Sequence, residues 1–220
     1  NLTNGGVQSP SVFHTSDICV NSNEEKLVTL ISKDRKSKEI FKIPLKYMSS
    51  IFEREGRVDD SLTMDASLDS LNPRCDEDRG FRNRGITLQV QISIPVIKNG
   101  RIDGQKKWYE NSEVFEDVAL EKYPEFLIRA SKTRPPAVSG GEASYGYVGV
   151  FPKNDVKIPV NFLLECRLLS DIQSLGVCHL YFTHRENIAV KTTFHSSRLG
   201  EFEQVYQKSV TLIDKHLIKN

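Results

Sequence analysis

The sequence predicts an α+β domain: an antiparallel sheet with helices packed on it, a flexible N-terminal arm and a C-terminal amphipathic helix. Three stretches lead to that expectation. In "ITLQVQISIPV", Ile86, Leu88, Val90, Ile92, Ile94 and Val96 alternate with Thr87, Gln89, Gln91, Ser93 and Pro95. Such alternation gives a strand one buried face and one wet face, as in antiparallel sheets. Four short apolar runs, "YGYVGVF", "VNFLLECRLL", "GVCHLYFTH" and "NIAVKTTF", are separated by turn-forming residues and read as further strands. In the closing stretch, Leu199, Phe202, Tyr206, Val210, Ile213 and Leu217 recur every three or four residues, which puts them on one helix face.

The remaining elements follow from local chemistry. Residues 1–23 are rich in Asn, Ser, Gly and Thr and read as a flexible arm, ahead of a single globular domain over 24–220. "LVTLI" and "EIFKI" read as a hairpin joined by the polar "SKDRKSK". Pro44 then opens a short helix with Leu45, Met48 and Phe52 inward. The acid-rich stretch 57–80 lacks an alternating pattern and reads as a mobile loop. Pro95 lacks an N–H, so its end of the first long strand is expected at a sheet edge, and "KNGRIDG" reads as a turn. A helix is expected from Ser112 to Lys122, with Val114, Phe115 and Val118 inward, ended by the restriction Pro124 places on Tyr123. A second mobile loop is expected near 131–144. Ser197 is the expected N-cap of the closing helix, with Glu201 and Glu203 near its start and Lys215, His216 and Lys219 near its end, as the helix dipole favours.

The 220 residues carry a formal net charge of +1, so no global field draws the chain to nucleic acid or an anionic membrane. No apolar run approaches the ~20 residues of a membrane span. Cys19, Cys75, Cys166 and Cys178 show no paired spacing and suggest a reducing compartment. Phosphate-binding glycine loops, nucleophile elbows and zinc-protease or C-x-x-C motifs are absent from the sequence. Cys166, Cys178, His179, His184 and His195 lack the spacing of a zinc finger, so neither metal nor cofactor is expected. Glu165 and Arg167 share a strand face and suit a surface ion pair better than an acid/base couple.

Two features suggest contacts. Lys33, Arg35, Lys36, Lys38, Lys42 and Lys46 cluster on and beside the first hairpin, where each cation adds ~1 kcal/mol toward an anionic surface. In the arm, Val12, Phe13, Ile18 and Val20 are apolar residues with no core of their own. Pro135, Pro136, Ala137 and Val138 form a stiff apolar stretch in the central loop. An arm docked on a neighbouring copy gives open, head-to-tail assembly.

The segment "FHSSRLGEF" resembles a stretch near the C-terminus of vesiculovirus matrix proteins, with Phe194, Ser196, Ser197, Arg198, Leu199, Glu201 and Phe202 in the matching order at a strand-to-helix junction. The arm departs from that family in lacking its Lys-rich stretch and Pro-Pro-x-Tyr motif. The resemblance implies a rhabdovirus-type matrix protein. It would be a non-enzymatic layer that self-associates into a homo-oligomeric lattice, lines the envelope of the virion, binds an anionic membrane surface and condenses the viral nucleocapsid without reading a nucleic-acid sequence. In infected cells it would occupy host cytoplasm, nucleus and membranes. Competing readings are another viral antiparallel-β structural or movement protein, a host interaction module, and an enzyme whose first suspects are His179, His184, His195 and Glu165.

Overall fold

The computed structural model describes residues 24–32, 35–48, 61–73, 85–92, 95–133, 144–169 and 174–218. Ten strands lie among them: β1 (Glu25–Ile31), β2 (Lys38–Pro44), β3 (Ser61–Ser67), β4 (Gly85–Ile92), β5 (Phe115–Val118), β6 (Phe126–Ser131), β7 (Ser144–Pro152), β8 (Phe162–Leu169), β9 (Leu175–His184) and β10 (Ile188–His195). Helix α1 (Pro95–Glu110) joins β4 to β5, and α2 (Phe202–His216) follows β10. β1 and β2 form a two-stranded sheet, and the other eight form one sheet in the order β3-β4-β10-β9-β8-β7-β6-β5. The α+β expectation is therefore corrected: the fold is β-rich, with two α-helices against ten strands among the described residues.

Three segments differ from their expected structure. Part of the acid-rich stretch is strand β3, whose Leu62, Met64 and Ala66 are buried against β4. Pro95 opens α1 rather than ending a strand, and β4, which stops at Ile92, lies inside the sheet between β3 and β10. A first-turn proline loses nothing by lacking an N–H, because that donor has no helical partner anyway. The segment expected as a helix from Ser112 to Lys122 contains β5 instead, with Phe115 buried and Glu116 and Asp117 exposed. A short charged strand of this kind suits a sheet edge. The first hairpin and the last four strands agree with the sequence reading.

One face of the large sheet is apolar. Ile86, Leu88 and Val90 from β4, Val190 and Phe194 from β10, and Leu180 and Phe182 from β9 are buried in one cluster with Val28, Leu30, Phe41 and Ile43 of the hairpin. Helix α2 lies on this side, with Phe202, Val205, Tyr206, Leu212 and Ile213 buried. Phe202 meets Phe126 edge-on at 5.7 Å between ring centroids, and Tyr206 meets Phe182 at 4.8 Å. The stripe expected on the closing helix is buried here except for half-buried Val210. A 3-10 turn (Ser196–Glu201) precedes the helix and is capped by His195, whose Nδ1 accepts the Ser197 N–H at 3.2 Å; the N-cap position of α2 itself is Glu201, without a side-chain cap bond, rather than the expected Ser197. After α2 the chain docks on the hairpin, where Ile218 N–H donates to Ile40 C=O at 2.8 Å.

Candidate functional site

The opposite face of the sheet is polar in one continuous row. Reading directly across the strands from β5 to β3, the aligned residues are Asp117, Arg129, Gly149, Glu165, His179, Thr193, Thr87 and Asp65. Residues opposite one another in antiparallel strands share a face, so all eight lie on the side away from α2. Only Gly149 lacks a polar side chain, and its place is taken by a ring: a Cβ there would sit 2.7 Å from Tyr109 Cγ.

Helix α1 covers the β5–β9 side of this face. Ile102, Tyr109, Phe115 and Leu163 form a second, small core, with Phe151 and Tyr181 against it. Tyr109 donates its hydroxyl to Glu165 Oε1 at 2.7 Å, and both residues are buried. Burial, then the charge and hydrogen bond of Glu165, raise the Tyr109 pKa far above its usual value, which keeps it a donor. Asn161 donates to Asp103 at 2.6 Å and accepts from Lys106 at 2.6 Å, which also ties the helix to the residue before β8.

Beyond the helix the row continues as a chain of hydroxyl and imidazole contacts. His179 Nδ1 lies 2.9 Å from Thr193 Oγ1, and its Nε2 lies 3.0 Å from the Tyr147 hydroxyl. Burial, aided by the Lys191 charge, lowers the His179 pKa to about 4. The ring is therefore neutral at pH 7, donating at one nitrogen and accepting at the other. Thr87 donates to Asp65 Oδ1 at 2.6 Å.

The neighbouring row on the same face is exposed at Tyr147, Arg167 and Val177 and half-buried at His195. Tyr147 stands opposite Arg167, and Val177 stands opposite His195. Tyr147 is 48% exposed and Val177 40% exposed. The ladder is irregular on both strands here. β7 shifts register between Ser144 and Tyr147, where Gly146 has φ +87°, and β8 shifts between Cys166 and Leu168, the positions on either side of Arg167. Bulges bend a strand and re-aim the side chains beside them, and the left-handed φ at Gly146 suits glycine alone.

On the apolar face, Cys166 and Cys178 are directly opposite one another in β8 and β9 and form a disulfide. The expectation of unpaired thiols is corrected for these two. A separation of 12 residues says nothing by itself, but an antiparallel register that sets two cysteines side by side does. Cys19 and Cys75 lie outside the described residues.

The other expected site residues are scattered. Glu165 and His179 come together in the row, although Glu165 bonds Tyr109 rather than pairing with Arg167. His184 sits away from the row, with Nε2 3.0 Å from Asp214 of α2, and His195 contacts Ser197. No cluster of three metal-ligating groups occurs among the described residues. Of the hairpin cations, Arg35, Lys36 and Lys38 are exposed, Lys42 pairs with Glu25 at 2.6 Å, Lys46 is half-buried, and Lys33 lies outside the described residues. Val12, Phe13, Ile18, Val20, Pro135, Pro136, Ala137 and Val138 also lie outside them. Tyr109, Tyr147 and Thr193 were missed in the sequence. A tyrosine signals a network only once its partners are known, and these come from strands far apart in the chain.

No family model matches the chain, and no curated protein matches it. Among solved structures, the chain is similar to an immunity protein of the Stenotrophomonas maltophilia type IV secretion system. The TM-score is 0.52 at 10% identity, over 91% of this chain and 98% of that one. At this identity the likeness is one of fold.

Proposed function

We propose that this chain is a binding protein of the immunity type, which neutralises a toxic protein by occupying it and performs no chemistry of its own. The observation that carries this reading is the polar sheet face, where Glu165, His179 and Asp65 are already held by neighbours and the adjacent row is open to a partner. Groups fixed before binding lose little conformational freedom on association. The likeness in fold to an immunity protein supports the reading by analogy. The Cys166–Cys178 disulfide supports an oxidising compartment over the cytoplasm.

The test uses the reading frames beside this gene, each directed singly to a bacterial periplasm. One of them is expected to arrest growth, and co-expression of this chain in the same compartment to restore it through a stable complex. If no neighbour is toxic, or toxicity persists beside the folded chain, the reading fails.

A second reading, a matrix-type lattice protein, is favoured by the exposed Arg35, Lys36 and Lys38 at the hairpin tip. It expects flotation with anionic liposomes that weakens as salt rises, lost in a variant with alanine at these three and Lys33. It also expects concentration-dependent polymerisation that requires residues 1–23 and weakens in Val138→Asp. The immunity-type reading requires neither the flotation nor the polymerisation.

A further inference from the structure

We infer that Tyr147, Arg167, Val177 and His195 form the partner-binding strip, and that its occupant is an acidic surface segment of a protein. The inference rests on the immunity-type reading and gives that reading a location. Tyr147 is half-exposed, yet its hydroxyl is tied to His179 at 3.0 Å and its ring lies 5.2 Å from the His179 ring. His179 is in turn tied to Thr193 at 2.9 Å. An exposed aromatic that is already immobilised is the kind of side chain on which interface energy concentrates. Arg167 stands opposite it and is exposed, with no hydrogen bond or ion pair among the described residues. Both register shifts described above fall at this pair, so the backbone itself departs from regular pairing where these two side chains emerge.

Charge decides the occupant. The acids of the adjoining row nearest the strip are withdrawn: Glu165 is buried under the Tyr109 hydroxyl, and Asp65 is buried against Thr87, while Asp117, exposed at the β5 end of the row, pairs with Arg129 at 2.9 Å. The cations are presented: Arg167 is exposed, and Lys191 reaches over the Tyr181 ring, 5.8 Å from its centroid, on the same face. A carboxylate arriving beside Tyr147 therefore meets a guanidinium that no described residue pairs, and Arg matches a carboxylate with two parallel donors. Val177 adds apolar area next to it, at 40% exposure.

The test uses a glutamate–tyrosine copolymer as an acidic, aromatic probe and a lysine–tyrosine copolymer as its counterpart. Binding is followed by amide chemical shifts of the labelled full chain. The expected result is shifts centred on Tyr147, Arg167, Val177 and His195 with the acidic probe and none with the basic one. Arg167→Glu is expected to weaken binding at least tenfold, and Tyr147→Ala similarly, with the remaining amide spectrum unchanged. The strip is overturned if the acidic probe does not bind, if its shifts centre on Arg35, Lys36 and Lys38, or if both variants bind like the parent. A chain that rescues growth from its toxic neighbour while failing here keeps the immunity reading and loses only this location.

Discussion

The two faces of the eight-stranded sheet are built from the same strands and follow different rules. Under α2 the side chains are apolar and nearly fully buried, and what matters is volume and fit. On the other face a row of polar residues runs through every strand but β7, and what matters is whether each buried group has a partner. In β9 the change occurs from one residue to the next: Cys178 is in the apolar core and His179 is in the polar row. The apolar face supplies most of the stability. The polar face gives up apolar contact and holds its groups in fixed positions instead, which is what a recognition surface requires.

Truncation on the apolar face should therefore have the largest effect. Phe202 is buried between Phe126 and Phe162, with centroids at 5.7 and 5.9 Å. Phe202→Ala is expected to cost ~3–5 kcal/mol, the transfer term plus the cavity left behind. Urea unfolding measures it, and an unchanged midpoint would show that α2 does not anchor on the sheet through this ring.

On the polar face the sensitive position is Gly149, where space rather than burial sets the penalty. A methyl there would lie 2.7 Å from Tyr109 Cγ and 2.8 Å from Phe151 Cε2, so Gly149→Ala must displace α1. The expected loss is ~1–3 kcal/mol. Gly104, on the same helix, has nothing within 4 Å of an added Cβ, and Gly104→Ala is expected to gain ~0.5–1 kcal/mol from helix propensity. Opposite signs at the two glycines support the close approach of α1 to the sheet. A gain at both would place the helix farther off.

The alternation that builds the apolar face was legible. Ile86, Leu88, Val90 and Ile92 of β4 are buried as their spacing demands, and the hairpin and late strands followed from the same rule. Helix α1 was not legible, because Gly100 and Gly104 look like turn residues and Pro95 looks like a strand breaker. Its register on the sheet depends on Tyr109 finding Gly149 and Glu165, two partners that local sequence cannot supply. Strand β5 misled because Val114, Phe115 and Val118 fit helical spacing, whereas pairing with β6 decides the outcome. Of the candidate site, Glu165 and His179 were singled out, but the row joining them is a property of register across eight strands. A one-residue slip in any strand would turn its contribution to the other face.

The polar face should also leave its mark on pH dependence. The His179 pKa is lowered to about 4 by burial and by Lys191, against about 6.5 in an unfolded chain. Between those values the unfolded chain takes up a proton that the folded chain refuses. The stability linked to neutral His179 is thus complete above about pH 6.5 and is lost as pH falls toward 4. His216, on the apolar side, is lowered by burial in the same direction, so its share is common to parent and variant. Unfolding midpoints between pH 7 and 4.5 should fall less in His179→Gln than in the parent. Equal slopes would mean that His179 is accessible and titrates normally.

The smallest effect is expected where the apolar face carries a polar pair of its own. Thr192 of β10 and Ser209 of α2 are both fully buried, and their hydroxyl oxygens lie 2.8 Å apart. Ser209 donates to the Val205 carbonyl at 2.7 Å, so the shared hydrogen is donated by Thr192. The pair is directional, and its two halves should not be equivalent. Thr192→Val replaces the donor with an apolar group of the same shape and leaves Ser209 its bond to Val205, so the change should be within a few tenths of a kcal/mol. Ser209→Ala removes the acceptor and leaves a buried hydroxyl without a partner, at a cost of ~1 kcal/mol. The double variant should return close to Thr192→Val alone, because no unpaired group remains. Equal costs for the two single changes, simply additive in the double, would show that the pair does not behave as donor and acceptor. The apolar face would then tolerate polarity on the same terms as the polar one.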